Sequence, residues 1–100
     1  MKKKVPNSIK QTIDYLITLD EDGGIEYIYG FIRFCRQCEF LGNFFKTLLD
    51  YDLNLFHNSI LVSILIGSNP EKDLPERKLF IEYLKKFIKP ENLESYDGLI

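Results

Sequence analysis

Apolar residues recur at three- and four-residue intervals through most of this chain, the pattern of helices that each bury one face. Ile9, Ile13, Leu16 and Ile17 open the series. Ser8 ahead of them and Gln11 three residues later form a reciprocal cap, in which each side chain takes the other's free backbone amide, so the first helix is expected to begin at Ser8. Gly23-Gly24, able to adopt left-handed backbone, reads as its stop, and the acidic run Asp20-Glu21-Asp22 before it as a solvated turn. No further spaced oxygen ligands follow to make that run a metal loop.

From Ile25 to Cys38 two templates compete. Ile25, Ile28, Ile32 and Cys35 share a helical face, whereas Ile25, Tyr27, Tyr29 and Phe31 alternate as one side of a strand. Gly30 weakens both. Helix is the reading adopted because no good partner strand lies nearby; a strand at 25–34 in a small α/β domain is the alternative. Glu39 to Tyr51, with Leu41, Phe44, Phe45, Leu48 and Leu49 at helical intervals, predicts the next helix.

Leu53 to Gly67 is apolar on nearly every side, as an element buried by its neighbours would be. As a helix it aligns Ser59, Ser63 and Gly67 every fourth residue, a narrow small-residue face that lets another helix approach closely; as a strand, Ile60 to Ile66 fits a buried core position. Ser68-Asn69-Pro70 and the charged residues to Asp73 predict a loop. In the final helix Asp73 is the expected cap, Glu76 its reciprocal partner and Pro75 a first-turn residue, and Phe80, Tyr83, Leu84 and Phe87 make the apolar face. Pro90 ends it at Lys89.

Together these elements predict an all-α fold of about five short helices in one domain spanning 1–100. Ser59 to Ile66 is expected at its centre, with the first and last helices packed on it. A flexible basic N-terminus (1–6) and a loosely docked C-terminal tail (91–100) are expected at the ends.

Composition supports a folded core: 45% of the 100 residues are hydrophobic, with 8 Phe and 6 Tyr. That is more aromatic surface than such a core needs, and the surplus points to a pocket or interface. A net charge of -2 argues against a dedicated nucleic-acid binder. The opening Met1-Lys2-Lys3-Lys4 is followed by polar residues where a secretion signal needs an apolar stretch. Ile60 to Ile66 is far too short to cross a bilayer, so no membrane insertion and a cytoplasmic location are expected. In a reducing compartment Cys35 and Cys38 remain thiols.

Cys35-Arg36-Gln37-Cys38 has the spacing of a thiol redox pair, which needs its first cysteine at a helix N-terminus, where the dipole and cations such as Arg33 and Arg36 lower the thiol pKa. That arrangement arises only if 25–34 is a strand. Cys35, Cys38 and His57 are too few for a structural zinc site, and no metal or cofactor is implied. His57 is the sole histidine, with Asp50, Asp52 and Ser59 near it in sequence but no motif joining them. Lys78, Lys85, Lys86 and Lys89, with Arg77 alongside, form a stripe that can meet an anionic surface.

The expected function is a non-enzymatic protein-interaction module, such as a small bacterial regulator or an immunity-type inhibitor that covers its partner's site. Its contacts are expected from exposed members of Tyr27, Tyr29, Tyr51 and Tyr96 with acidic Asp20, Glu21, Asp22 and Glu26. Another protein is the expected partner, with homo-oligomers also compatible. The alternatives are a nucleic-acid-binding regulator using the four lysines and a thiol redox protein using Cys35 and Cys38.

Overall fold

The computed structural model describes residues 7–100 and contains five α-helices: α1 (Asn7–Thr18), α2 (Glu21–Gln37), α3 (Leu41–Leu48), α4 (Asn58–Gly67) and α5 (Pro75–Leu84). Short 3-10 segments occupy Leu53–Leu55, Asn69–Glu71 and Pro90–Tyr96. No strand occurs among the described residues, so 25–34 is helical and the α/β alternative falls. The expected flexible start, 1–6, lies outside the described residues. α1 begins one residue ahead of the expected Ser8 cap, whose side chain is also outside them.

The acidic run starts a helix instead of ending one. Asp20 is the N-cap of α2, its Oδ1 accepting from the Gly23 amide at 2.8 Å, and Glu21 and Asp22 occupy the first turn, where the helix dipole favours negative charge. Gly23 and Gly24 therefore lie inside α2. Gly24 is required there by packing: a Cβ on it would sit 2.6 Å from Ile60 Cδ1 and 3.6 Å from Leu16 Cδ1, so the three helices α1, α2 and α4 meet at this residue. At the other end of the same contact Gly67 of α4 faces Ile32, whose Cγ2 would be 3.2 Å from an added Cβ. The small-residue face of α4 is thus a real helix-contact face, and its partner is α2. Ser59 Oγ adds a 2.6 Å hydrogen bond to Glu21 Oε2 across it.

Because α2 takes that face, the first and last helices pack mainly elsewhere. α5 lies chiefly on α3, and α1 on α3 and α2. The core they enclose is aromatic as well as aliphatic: Phe31, Phe44, Phe45 and Phe80 form a run with successive ring centroids 5.7, 5.6 and 5.2 Å apart. Within α4, Ile60, Leu61, Ser63, Ile64 and Leu65 are all buried, which explains its lack of a polar face.

Three boundaries differ from the sequence pattern. α2 closes with Glu39 in left-handed backbone (φ 60°), and the Phe40 amide reaches back to the Cys35 carbonyl at 2.8 Å, so α3 begins only at Leu41. The N-cap of α5 is Leu74, which contributes no side-chain cap, in place of Asp73. α5 stops at Leu84, five residues before Lys89, where the Phe87 amide turns back onto the Leu84 carbonyl at 2.8 Å.

Arg77, expected beside the lysine stripe, is 2% exposed. Its Nε donates to Ser68 Oγ at 2.8 Å and its Nη2 to the Leu65 carbonyl at 2.9 Å, so the guanidinium closes the C-terminal end of α4, where unpaired carbonyls and the dipole attract a cation. Burial lowers its pKa. The C-terminal segment is also tied in: Tyr96 is buried, with its hydroxyl 2.5 Å from Asn58 Oδ1 and its pKa pushed up to about 12 by desolvation.

Candidate interaction surface

The outer side of α1 and α2 carries an exposed aromatic pair. Tyr15 on α1 falls between the core positions Ile13 and Leu16 and so points off the buried stripe; it is 52% exposed. Tyr27 on α2 is 36% exposed, and the two rings meet edge to face with centroids 5.2 Å apart. A shallow cavity of about 280 Å³ is lined by both rings together with Leu19, Gly23 and Glu26. Tyr15 was missed by the sequence reading, although a large aromatic set off an otherwise clean apolar stripe was the available signal.

The expected acidic contributors separate into two groups. Asp20 and Glu21 are engaged by the fold, as cap and as partner of Ser59. Asp22 and Glu26 are exposed and form no ion pair among the described residues.

The four expected tyrosines do not converge. Tyr29 lies on the opposite flank of α2 from Tyr27, against Gly67. Tyr51 is half-buried beside α1, where its hydroxyl donates to Asp14 Oδ1 at 2.6 Å and accepts from Lys10 Nζ at 3.2 Å. This bond is the leading cause that holds the Asp14 carboxyl below its ordinary range, with Lys10 adding to it. Tyr96 is withdrawn into the core, since a ring that fills a gap against α4 and satisfies Asn58 cannot also meet a partner.

Along the outward side of α2, the 100° step per residue places Glu26, Gly30, Arg33 and Gln37 in one exposed line. Tyr27 and Phe34 flank it on one side, Asp22, Tyr29 and Arg36 on the other. An alanine Cβ at Gly30 would meet nothing within 4 Å. Arg33 and Arg36 form no ion pair among the described residues, although Glu71 lines a cavity of about 240 Å³ with them.

Cys35 is in the last turn of α2 and Cys38 is its C-cap, so the pair closes a helix where the redox arrangement needs it to open one. Burial, with the neighbouring Cys38 adding to it, pushes the Cys35 thiol up to about 12. Lys78, Lys85, Lys86 and Lys89 are exposed, but only Lys78 lies within α5; Lys85 is its C-cap and pairs with Glu82 at 3.1 Å. His57 is the exposed N-cap of α4 and makes no side-chain cap. Among the described residues no group of three or more His, Cys, Asp or Glu side chains is placed to hold a metal ion. No helix among them is long and apolar enough to cross a membrane.

Comparison with protein-family models, curated proteins and solved structures yields no match to this chain.

Proposed function

We propose that the chain is a non-enzymatic protein-interaction module, of the regulatory or inhibitory kind that covers a partner's site, and that the outer face of α1 and α2 is its contact surface. The observation that carries this reading is the Tyr15–Tyr27 pair, two large rings held edge to face on the surface beside a shallow cavity that Glu26 also lines. Rigid aromatic side chains contribute much of the energy at protein interfaces because they bury large areas at low entropic cost. Asp22 and Glu26 give the rim a negative charge, which suits a partner surface presenting Lys or Arg and accelerates encounter with it.

The test is affinity capture with the wild-type chain beside a Tyr15→Ala/Tyr27→Ala variant. Both residues are exposed, so the variant retains its core and its helical circular dichroism. Partners bound by the wild type and lost by the variant are the expected result. An identical set recovered by both, or none by either, refutes the assignment.

A further inference from the structure

We infer that a partner for this face is a second copy of the same chain, docked antiparallel along α2 about a two-fold axis through Gly30. The inference rests on the reading of α2 as a contact surface, and it is carried by the distribution of charge and shape along that helix.

Negative side chains occupy the N-terminal half of the exposed side of α2, Asp22 and Glu26, and positive ones the C-terminal half, Arg33 and Arg36. None of the four forms an ion pair among the described residues. A parallel pair of such helices sets like charge against like; an antiparallel pair sets each acidic half on a basic half, as a closed two-fold dimer requires of a self-complementary patch.

The register follows from the glycine. Gly23 and Gly24 in the same helix each face a neighbouring atom, whereas the missing Cβ of Gly30 faces open space. Glycine in mid-helix weakens it, and an approaching backbone is the feature that makes its lack of a side chain useful. With Gly30 against its own copy, each residue lies level with the residue equally far from Gly30 on the other helix. At about 1.5 Å rise per residue, three exposed pairs then come level within roughly 3 Å. On the central line Glu26 meets Arg33 of the second copy. On one flank Tyr27 meets Phe34, which is 46% exposed in the single chain. On the other Asp22 meets Arg36. The two-fold axis keeps each flank on its own side, so all three pairs form together and each forms twice. An unrelated basic partner would explain the acidic half alone; a second copy explains the arginines, the exposed phenylalanine and the glycine as well.

The experiment is sedimentation equilibrium of the full chain over roughly 10 µM to 1 mM, the range in which small interfaces associate. The wild type is expected to pass from one chain mass toward two. Glu26→Arg and Arg33→Glu each convert two attractive pairs into repulsive ones, so each variant alone is expected to weaken dimerisation at least tenfold. Mixed in equal amounts they restore both pairs as attractive, one with its polarity reversed and one with the native residues, and the mixture is expected to dimerise again. Both sites are exposed, and unchanged helical circular dichroism confirms the fold. Gly30→Leu blocks the approach while favouring helix, and is expected to be monomeric throughout.

A wild type that stays monomeric at 1 mM overturns the dimer, as does a mixture that fails to recover or a Gly30→Leu chain that still associates. Capture that depends on Tyr15 and Tyr27 can survive each of those results, so failure of the dimer is distinguishable from failure of the contact surface.

Discussion

Two glycines of α2 make a matched test of whether its inner and outer faces have been assigned correctly. Gly24 faces the junction with α1 and α4; Gly30 faces solvent near the middle of the helix. Alanine in an exposed helix interior is favoured over glycine by about 0.5–1 kcal/mol, because it loses less backbone freedom on folding. Gly30→Ala meets no atom within 4 Å and should gain that amount. For a domain of this size the gain corresponds to a rise in Tm of roughly 2–8 °C. Gly24→Ala gains a similar propensity term but forces the Ile60 Cδ1 atom, 2.6 Å from the new Cβ, to move within a closed core. Overpacking of that kind costs about 1–3 kcal/mol, leaving a net loss of about 0–2.5 kcal/mol. The two variants should therefore move Tm apart by circular dichroism melts in dilute solution, where self-association does not contribute. A fall in Tm for Gly30→Ala, or equal gains at both sites, would refute the orientation of α2.

Other residues give independent checks. Arg77→Ala removes a buried stem together with the donors to Ser68 and the Leu65 carbonyl, and should destabilise the chain by about 2–4 kcal/mol in urea unfolding; Arg77→Lys, lacking the fork, should recover only part of this. Tyr51→Phe deletes the main hydrogen bond to Asp14, whose pKa should rise toward its ordinary 3.8 in a carboxyl-resolved NMR titration. The sign follows from the depressed pKa in the folded chain: the Asp14 contribution is present above pH 3.8 and is lost as pH falls through the lower folded value, so the wild type should resist mild acid better than the variant. With its pKa pushed up to about 12 by burial, Cys35 should resist alkylation in the native chain and react on unfolding; rapid native labelling at Cys35 by mass spectrometry would contradict its position in the core.

The parts of the fold legible in the sequence were those in which periodicity and burial coincide. Ile9, Ile13 and Leu16 are buried as their spacing implied, and so are Phe44, Phe45 and Leu48. The small-residue face of α4 was visible too, but not the helix that occupies it, because residues at a close contact specify distance and leave the partner open. The Gly23-Gly24 pair misled for that reason: glycine at a helix end and glycine at a helix contact look alike until Ile60 and Leu16 are placed beside it. Arg77 misled in another way. A cation among lysines reads as surface, and its burial is set by the carbonyls of α4 and by Ser68, nine residues away. For the candidate surface, Tyr27, Asp22 and Glu26 were named from sequence; Tyr15 was not, since its role depends on the ring of Tyr27 across the α1–α2 boundary. Tyr96 shows that being aromatic and near a terminus says little about exposure when one hydroxyl partner, Asn58, can fix it inside.

The division of labour within α2 explains why its acidic residues do not all serve the same end. Asp20 and Glu21 are bound into the fold, one holding the first turn and the other holding Ser59, and their removal should register mainly in stability. Asp22, in the same first turn, and Glu26, about one turn beyond it, have no ion-pair partner among the described residues, and Arg33 and Arg36 stand in the same condition at the far end. Surface charges of opposite sign on one helix commonly pair at three- or four-residue spacing. Here Glu26 and Arg33 are seven residues apart, too far along the axis to relieve each other directly, yet on the same exposed line. A helix so polarised presents two complementary half-surfaces, and two of its three exposed aromatics, Tyr27 and Phe34, carry the same seven-residue spacing. Charge and apolar area thus repeat with one period about one glycine, the relation expected of a surface shaped for contact with another helix.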